Sequence, residues 1–199
     1  MSHVEARGVI LRLLVWLPLL IWLAWTQGRH LAEALLSLDR AVLDAVLNNF
    51  SVLRMELGLQ REWVFQVTLI ADQMQWVQGR MLPAGVTIDV STPIHGVLIH
   101  PIVLASAALA WPGLAWHDRL LRLLLSLPVI LLLELLDTPL VLASSVADLL
   151  SYSLNPAADQ ASRLVDWVRL MDGGGRIALA LSAAFAVAWV QAKVNSPRS

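Results

Sequence analysis

The stretch between residues 123 and 146 is almost wholly apolar, but it carries two acids, Glu134 and Asp137, near its middle. Because roughly 20 apolar residues in a helix span the hydrocarbon core of a bilayer, the stretch is long enough to cross one. A carboxylate inside the bilayer costs about 2.5–3.5 kcal/mol on insertion scales and normally faces a partner or a cavity. The stretch therefore predicts a membrane-spanning helix with a polar site inside it.

The composition of the chain indicates a membrane protein and excludes several other classes. Hydrophobic residues make up 58% of the 199 residues, against roughly 45–50% in a soluble domain, and charged residues make up 15%. A net charge of −1 offers no basic surface of the kind that binds nucleic acid. Since the chain contains no cysteine, disulfides, thiol nucleophiles and cysteine-held iron–sulfur clusters are excluded. We predict no cofactor.

Three more apolar runs complete the predicted set of spans, at residues 9–26, 96–116 and 177–194. The first follows basic residues as a signal peptide does. It lacks a small-x-small cleavage site and ends in bulky tryptophans, so we interpret it as an uncleaved anchor. The last run is rich in alanine, which favours close packing between helices. The predicted fold is predominantly α, a polytopic membrane protein with four transmembrane helices and a small exported helix-plus-β-hairpin subdomain.

Positive charge predicts the orientation of the spans, because cytoplasmic loops carry an excess of Lys and Arg. The basic residues that flank the spans on one side are Arg7, Arg12, Arg119, Arg122, Lys193 and Arg198. Both termini are then cytoplasmic, and residues 27–95 and 147–176 lie on the outer side of the membrane. The predicted boundaries are an anchor at 1–26, an exported subdomain at 27–95, a helical hairpin at 96–146, an outer loop at 147–176, and a last span with its tail at 177–199.

The third span has an alternative interpretation. Pro128 and Pro139 lie inside it, and a proline removes a hydrogen bond from a helix interior. A re-entrant or two-part segment is therefore the main competitor of one continuous helix.

The exported subdomain begins with a helical pattern. From residue 29 to residue 57 apolar side chains recur every three or four positions, which is typical of an amphipathic helix, or of two helices broken near Asn48 and Asn49. The stripe consists of Leu31, Leu35, Leu38, Val42, Val46, Phe50, Leu53 and Leu57. It either covers the core of its own subdomain or docks a partner, with Leu35 and Val42 as candidates for partner contact.

Farther along the subdomain the apolar period changes to two, which indicates strands. Residues 63–69 and 86–91 alternate in this way, a third strand is predicted around residues 74–77, and glycine and proline supply turns at residue 79 and at residues 83–85. So small a sheet is only marginally stable alone, so we expect it to pack on the helix or on another protein. An exposed edge could accept an extended peptide, with Val86, Ile88 and Val90 as contact candidates.

The second exported segment contains a further helix signal. Asn155-Pro156 is a typical start, and the glycines at residues 173–175 are a typical stop. The apolar side chains between them share one side, which suits a short helix in the membrane interface.

His100 joins the two acids as a candidate site. It lies about 6 Å below the outer end of the second span, and Asp137 lies about 13 Å below that of the third, at roughly 1.5 Å per residue. Glu134 and Asp137 are three residues apart and so share a helix face. We therefore predict an intramembrane polar cluster of His100, Glu134 and Asp137. It is either a buried contact that fixes helix packing or a site that handles protons, a substrate or a metal ion.

No known catalytic motif accompanies this cluster. The chain contains no G-x-S-x-G, H-E-x-x-H or phosphate-cradling glycine loop. Ser126, Ser144 and Ser145 have no neighbouring pattern that would mark a nucleophile. We therefore predict no catalytic residue and no enzyme.

Two short stretches and the order of elements carry a family resemblance. Residues 12–20 read RLLVWLPLL, and residues 88–101 read IDVSTPIHGVLIHP, where a strand ends in a polar-proline turn and passes directly into a span. Together with the order span, exported helix and strands, and paired spans, they resemble the exosortase H-associated membrane proteins over roughly residues 10–137. The resemblance implies an accessory partner of a membrane-embedded sorting peptidase in a Gram-negative envelope. The absence of cysteine excludes the peptidase itself.

The functional prediction combines these points. We expect a non-enzymatic accessory or scaffold protein of an envelope protein-sorting or assembly system. It would contact the lipid bilayer and another integral membrane protein, and no nucleic acid. The alternative is a small transporter or membrane enzyme that uses Glu134, Asp137 and His100.

Overall fold

A computed structural model describes residues 3–77, 80–154 and 163–195 of the chain as helices and short antiparallel strands. The elements are α1 (His3–Val46), β1 (Phe50–Leu59), β2 (Trp63–Ala71), β3 (Gln75–Val77), β4 (Arg80–Leu82), β5 (Thr87–Pro93), α2 (His95–Ala110), α3 (Trp116–Leu154), α4 (Arg163–Leu170) and α5 (Arg176–Asn195). A π-helical turn at Met171–Gly175 joins α4 to α5, with a kink at Gly174, where φ is 109°. The prediction of a mainly helical fold with a small antiparallel sheet is confirmed.

Two helices of the described residues are long and apolar enough to cross a membrane. One is Ala6–Val46 within α1, and the other is Arg163–Val194, which takes in α4, the kink and α5. The apolar helix α2 is shorter. The arrangement with four spans stays a prediction.

The helix α3 contains the third predicted span and runs past both of its prolines without a break. With 39 residues, it is about 58 Å long at 1.5 Å per residue. The two-part form of this segment does not occur in the structure. Each proline removes one hydrogen bond from the helix, and the rest of the helix continues on either side.

The helix α1 differs from its prediction at both the anchor and the stripe. The predicted anchor and the predicted amphipathic helix are one continuous helix of 44 residues. This helix ends at Val46, so the last members of the stripe, Phe50, Leu53 and Leu57, lie in β1 instead. The helical interpretation of residues 50–57 was therefore wrong.

The chain divides into two compact units. The helical unit contains α1 up to Gly28, α2 from Val97, α3 up to Glu134, and α5. The sheet unit contains α1 from Arg29, the strands, α3 from Leu135, and α4. This division cuts through α1 and α3, whereas the sequence placed its boundaries at the ends of predicted spans.

In the sheet unit, β2 lies between β1 and β5 and is antiparallel to both, while β3 and β4 form a separate hairpin. The predicted strands at residues 63–69, 74–77 and 86–91 are confirmed as β2, β3 and β5. The predicted turn at Gly79 lies outside the described residues, as does the helix start at Asn155-Pro156. Gly85 turns the chain into β5 with φ of 82°.

One face of this sheet is buried because the strands alternate apolar and polar residues. Phe65, Val67 and Leu69 of β2 are at most 1% exposed, and the neighbouring positions on β5, Ile88 and Val90, are buried as well. The buried residues of α1 in this unit include Ala32, Leu35 and Leu43. The sheet unit therefore has an apolar core of its own.

A β-bulge in β1 is held by two charged residues of α1. The register of β1 against β2 shifts between Val52 and Arg54. Arg40 Nη2 donates a hydrogen bond to the Val52 carbonyl oxygen at 2.7 Å, and the Val52 N–H donates to Asp44 Oδ1 at 2.9 Å. Both backbone groups of Val52 are thus satisfied by side chains one helical turn apart.

The helical unit packs α2 against α5 through small residues. Leu104 of α2 forms a buried cluster with Ala180 and Ala184. A short side chain lets two helices approach closely, as the alanine-rich sequence of the last predicted span led us to expect.

Candidate functional site

His100 and Glu134 meet inside the helical unit. His100 lies in the second turn of α2, and Glu134 lies near the middle of α3. Nδ1 of the imidazole is 2.9 Å from Oε1 of the carboxyl group, and both side chains are 0% exposed. The structure thus brings together two of the three residues of the predicted cluster.

This contact has the geometry that a proton transfer requires. A hydrogen bond at this distance can hold one proton between the two atoms, donated either by an imidazolium N–H to the carboxylate or by the carboxylic acid to the imidazole nitrogen. Passage of the proton from one atom to the other converts a neutral pair into an ion pair. A structural hydrogen bond uses the same geometry, so the distance alone is compatible with both roles.

The second ring nitrogen of His100, Nε2, is buried and has no hydrogen-bond partner among the described protein atoms. Most buried polar atoms in proteins are hydrogen-bonded. His100 therefore has hydrogen-bonding capacity beyond its contact with Glu134.

The third predicted member, Asp137, is also buried, with 4% of its surface exposed. It follows Glu134 by three residues along α3 and belongs to the sheet unit. In the described part of the chain, no group of three or more His, Asp and Glu side chains is arranged to hold a metal ion.

Two serines of α3, Ser126 and Ser145, use their hydroxyl groups within the helix. Ser126 Oγ donates to the Arg122 carbonyl oxygen at 2.8 Å, and Ser145 Oγ donates to the Val141 carbonyl oxygen at 3.0 Å. Such bonds to the preceding turn are the usual way for serine to satisfy its hydroxyl inside an apolar helix.

A polar contact that the sequence analysis missed joins α3 to α5. Arg122 Nε donates to Gln191 Oε1 at 2.7 Å, and Gln191 Nε2 donates to the Asp118 carbonyl oxygen at 2.8 Å. Gln191 is 1% exposed. The signal in the sequence was a lone glutamine inside an apolar, alanine-rich helix, which needs a partner when it is buried.

The predicted partner-contact residues lie in the sheet unit. Leu35, Ile88 and Val90 are buried within this unit. Val42 and Val86 are half-buried and are therefore the members of the set that keep an accessible surface. Contact of any of these residues with a partner stays a prediction.

The opposite face of the sheet is polar and open. It forms a depression of about 470 Å³, and its lining includes Arg54, Glu56, Gln66, Thr68 and Asp89. Arg54 and Glu56 form an ion pair at 2.7 Å, and Thr68 Oγ1 donates to Asp89 Oδ1 at 2.6 Å across the strands. We call this surface the outer sheet face. It presents positively charged, negatively charged and neutral hydrogen-bonding side chains to a binding partner.

Comparison of the chain with protein-family models, curated proteins and solved structures gives no match.

Proposed function

We propose that the chain is a non-enzymatic accessory or scaffold protein of an envelope protein-sorting or assembly system in a bacterial inner membrane. Two long apolar helices support the membrane location. The resemblance of residues 10–137 to exosortase H-associated membrane proteins suggests the kind of system, a membrane-embedded sorting peptidase with its accessory partner.

The proposed topology has four spans with both termini in the cytoplasm. Residues 27–95 and 147–176 would then be periplasmic. The support is the distribution of basic residues along the sequence, together with the apolar composition of the predicted spans in α1, α2, α3 and α5.

The observation that carries the accessory role is the outer sheet face. Within the described strands, β1 and β5 each pair on one side only. Edge strands with a free side are sites where another chain can add a strand. A polar sheet face between two such edges, in a unit with its own apolar core, is suited to partner binding rather than to catalysis.

A pull-down from native membranes in mild detergent, followed by mass spectrometry, tests this role. We expect a membrane peptidase or an assembly factor in stoichiometric amount. Asp89→Arg on the outer sheet face should abolish its recovery, whereas Asp166→Arg on the exposed surface of α4 should not. Recovery of the chain alone, or equal recovery with both variants, would contradict the proposed surface.

A second candidate function is a small transporter or membrane enzyme that uses Glu134, Asp137 and His100. The observation that favours it is the buried contact of 2.9 Å between His100 and Glu134. Glu134→Gln and Asp137→Asn remove the titratable groups with little change in shape. Loss of function with normal assembly of the complex would favour chemistry, while loss of assembly, or no effect, would favour the accessory role.

A further inference from the structure

Three arginines of the helical unit converge on Trp111, which follows the end of α2. Arg12 Nη1 and Arg119 Nη2 both donate to the Trp111 carbonyl oxygen at 3.4 Å. Arg119 Nη1 also donates to the Leu109 carbonyl oxygen at 2.8 Å. The guanidinium group of Arg122 lies over the Trp111 ring, 4.5 Å from its centroid. We call Arg12, Arg119 and Arg122 the arginine cluster.

The arginine cluster carries more positive charge than its surroundings neutralise. Among the described residues, no carboxylate lies within ion-pair distance of its members. Burial lowers the pKa of Arg119, and the charge of Arg12 lowers it further. Burial also lowers the pKa of Arg122, against the opposing effect of Asp118. Arg122 Nη1 is buried without a hydrogen-bond partner among the described atoms, so Arg122 has an unused donor in addition to its charge.

An apolar groove begins at the same tryptophan. It has a volume of about 510 Å³ and runs between α1, α2 and α5, which is within the range of roughly 300–1,000 Å³ for small-molecule sites. Its lining includes Val9, Leu13, Leu17, Ala107 and Phe185. Trp111 lines the groove and packs edge-on against Phe185, with 5.5 Å between ring centroids.

We propose that the arginine cluster and this groove form a binding site for one anionic phospholipid. The headgroup phosphate would accept a hydrogen bond from Arg12, since guanidinium groups pair with phosphate in a charge-assisted way, and the positive charges of Arg119 and Arg122 would attract it to the same place. One acyl chain would occupy the groove. The positive end of the α3 dipole, close to Arg119, favours an anion at the same place.

Charge complementarity favours an anionic phospholipid over a neutral lipid or a protein segment. A groove that is apolar along its length and cationic at one end matches a molecule with a hydrocarbon chain and a single anionic head. Basic pockets beside membrane spans on the cytoplasmic side are known to hold such headgroups. The inference rests on the membrane location in the proposed function, and it is independent of the accessory role.

Native mass spectrometry of the purified full chain in a non-ionic detergent tests the site. The probes are dioleoyl phosphatidylglycerol, dioleoyl phosphatidylcholine and glycerol phosphate. We expect one saturable site for phosphatidylglycerol, with binding of the other two at least about tenfold weaker. Phosphatidylcholine keeps the phosphate but carries an ammonium group that cancels its net charge, and glycerol phosphate has no acyl chain to occupy the groove.

Two matched pairs of variants separate headgroup from chain recognition. Arg12→Gln should weaken phosphatidylglycerol binding about tenfold, while Arg7→Gln, with the same change of charge on an exposed position of α1, should not. Val9→Trp fills the groove and should also weaken binding, while Ile10→Trp, next to it but outside the groove, should not. Circular dichroism confirms that each variant is folded.

Several results would overturn the site. They are equal affinity for the two lipids, equal loss in the two arginine variants, or binding of glycerol phosphate as tight as that of phosphatidylglycerol. A chain that binds no lipid but still recovers its protein partner from membranes would contradict this site and leave the accessory role intact. A chain that binds the lipid but recovers no protein partner would support this site and contradict the accessory role.

Discussion

At the scale of single residues, the hydrogen bond between His100 and Glu134 allows a direct test of its contribution to stability. Glu134→Leu leaves Nδ1 of His100 buried without an acceptor, so we expect the free energy of unfolding to fall by about 1–3 kcal/mol. Glu134→Gln keeps an oxygen acceptor and should cost less. Replacement of both residues by leucine should recover part of the loss, because neither polar group then stays unpaired. Thermal and denaturant unfolding in detergent measure these differences.

The control for this series is Glu56→Leu on the outer sheet face. Glu56 is 41% exposed in its ion pair with Arg54, and surface substitutions of this kind change stability by at most about 0.5 kcal/mol. If Glu134→Leu is as stable as the unmodified chain, the contact contributes nothing to the fold.

A second residue-scale prediction concerns pH. The Arg29 side chain donates a hydrogen bond to Glu33 at 2.7 Å, and this bond is the main reason that the pKa of Glu33 lies below its ordinary value. A lowered carboxyl pKa stabilises the fold above the pKa of the unfolded chain, and this contribution disappears as the pH falls through the folded pKa. We therefore expect Arg29→Gln to raise the pKa of Glu33 toward its ordinary value.

Carbon-13 NMR titration of the Glu33 carboxyl group measures this change. His30 makes a weaker hydrogen bond to the same carboxylate at 3.4 Å, so His30→Gln should move the pKa less than Arg29→Gln does. The opposite order would show that Arg29 is not the main cause.

The candidate site could be predicted only in part at this scale. A contact between His100 and a carboxylate was predicted from a constant rise per residue in two apolar helices and from the cost of an acid among apolar residues. The depths along the helices were compared for His100 and Asp137, whereas the structure places Glu134 against His100. The hydrogen bonding of the Val52 backbone to Arg40 and Asp44 could not be predicted from the sequence. It depends on a bulge whose position is decided by strand register, and the two charged residues appeared in the sequence only as the polar side of an amphipathic helix.

At the scale of elements, β1 shows how a bulge can imitate a helix. Before the register shift the buried residues of β1 are Phe50 and Val52, and after it Met55 and Leu57 pair with the buried residues Val67 and Phe65 of β2. The bulge changes the parity of the inward positions, so Phe50 and Leu57 lie on the inward side although they are seven residues apart, a separation that also fits two turns of a helix. Leu53, the member of the stripe between them, is 52% exposed. The strands β2 and β5 have no such shift, and the alternation in their sequences predicted them correctly.

The contact between α1 and α2 gives the prediction that belongs to this scale. A Cβ atom added to Gly28 of α1 would lie 2.8 Å from Cδ1 of Leu98 on α2, whereas one added to Gly8 would have no atom within 4 Å. Both positions gain helix propensity from a larger residue. We expect Gly28→Leu to be about 1–3 kcal/mol less stable than Gly8→Leu, because only the former overpacks a helix contact.

Unfolding of the two variants in the same detergent measures the difference. The pair is matched in residue type, in helix and in the side chain introduced. Equal stability would mean that the Leu98 side chain moves aside without cost and that the close approach at Gly28 contributes nothing.

At the scale of the whole molecule, the sequence predicted the kinds of element more reliably than their grouping. The apolar runs and the three predicted strands are present in the structure in the predicted order, whereas β1 and β4 were not predicted. The two compact units, however, divide α1 and α3 in their interiors, where hydrophobic periodicity has no boundary signal. Whether a helix is shared between two units depends on packing that is distant in sequence, which local patterns do not contain.

The absence of cysteine makes the proposed topology directly testable by single-cysteine labelling. Met74, 62% exposed, lies in the proposed periplasmic region, and the His117 side chain, 83% exposed, lies between the second and third spans. Leu127 of α3 is 58% exposed and would face lipid. A membrane-impermeant maleimide should label Met74→Cys in intact spheroplasts and His117→Cys only after permeabilisation. Leu127→Cys should stay unlabelled until detergent is added, because thiol modification requires the hydrated thiolate.

Each labelling result separates one part of the topology from the others. Labelling of His117→Cys in intact spheroplasts would reverse the orientation predicted from the basic residues. Labelling of Leu127→Cys as fast as Met74→Cys would place this surface of α3 in water, and the third span would be lost while α1 and α5 could still anchor the chain. Since Glu134 lies seven residues beyond Leu127 on the same helix, that result would also move its contact with His100 from a membrane interior to the core of a water-exposed helix bundle. The cost of burying the carboxyl group would then be set by protein packing alone.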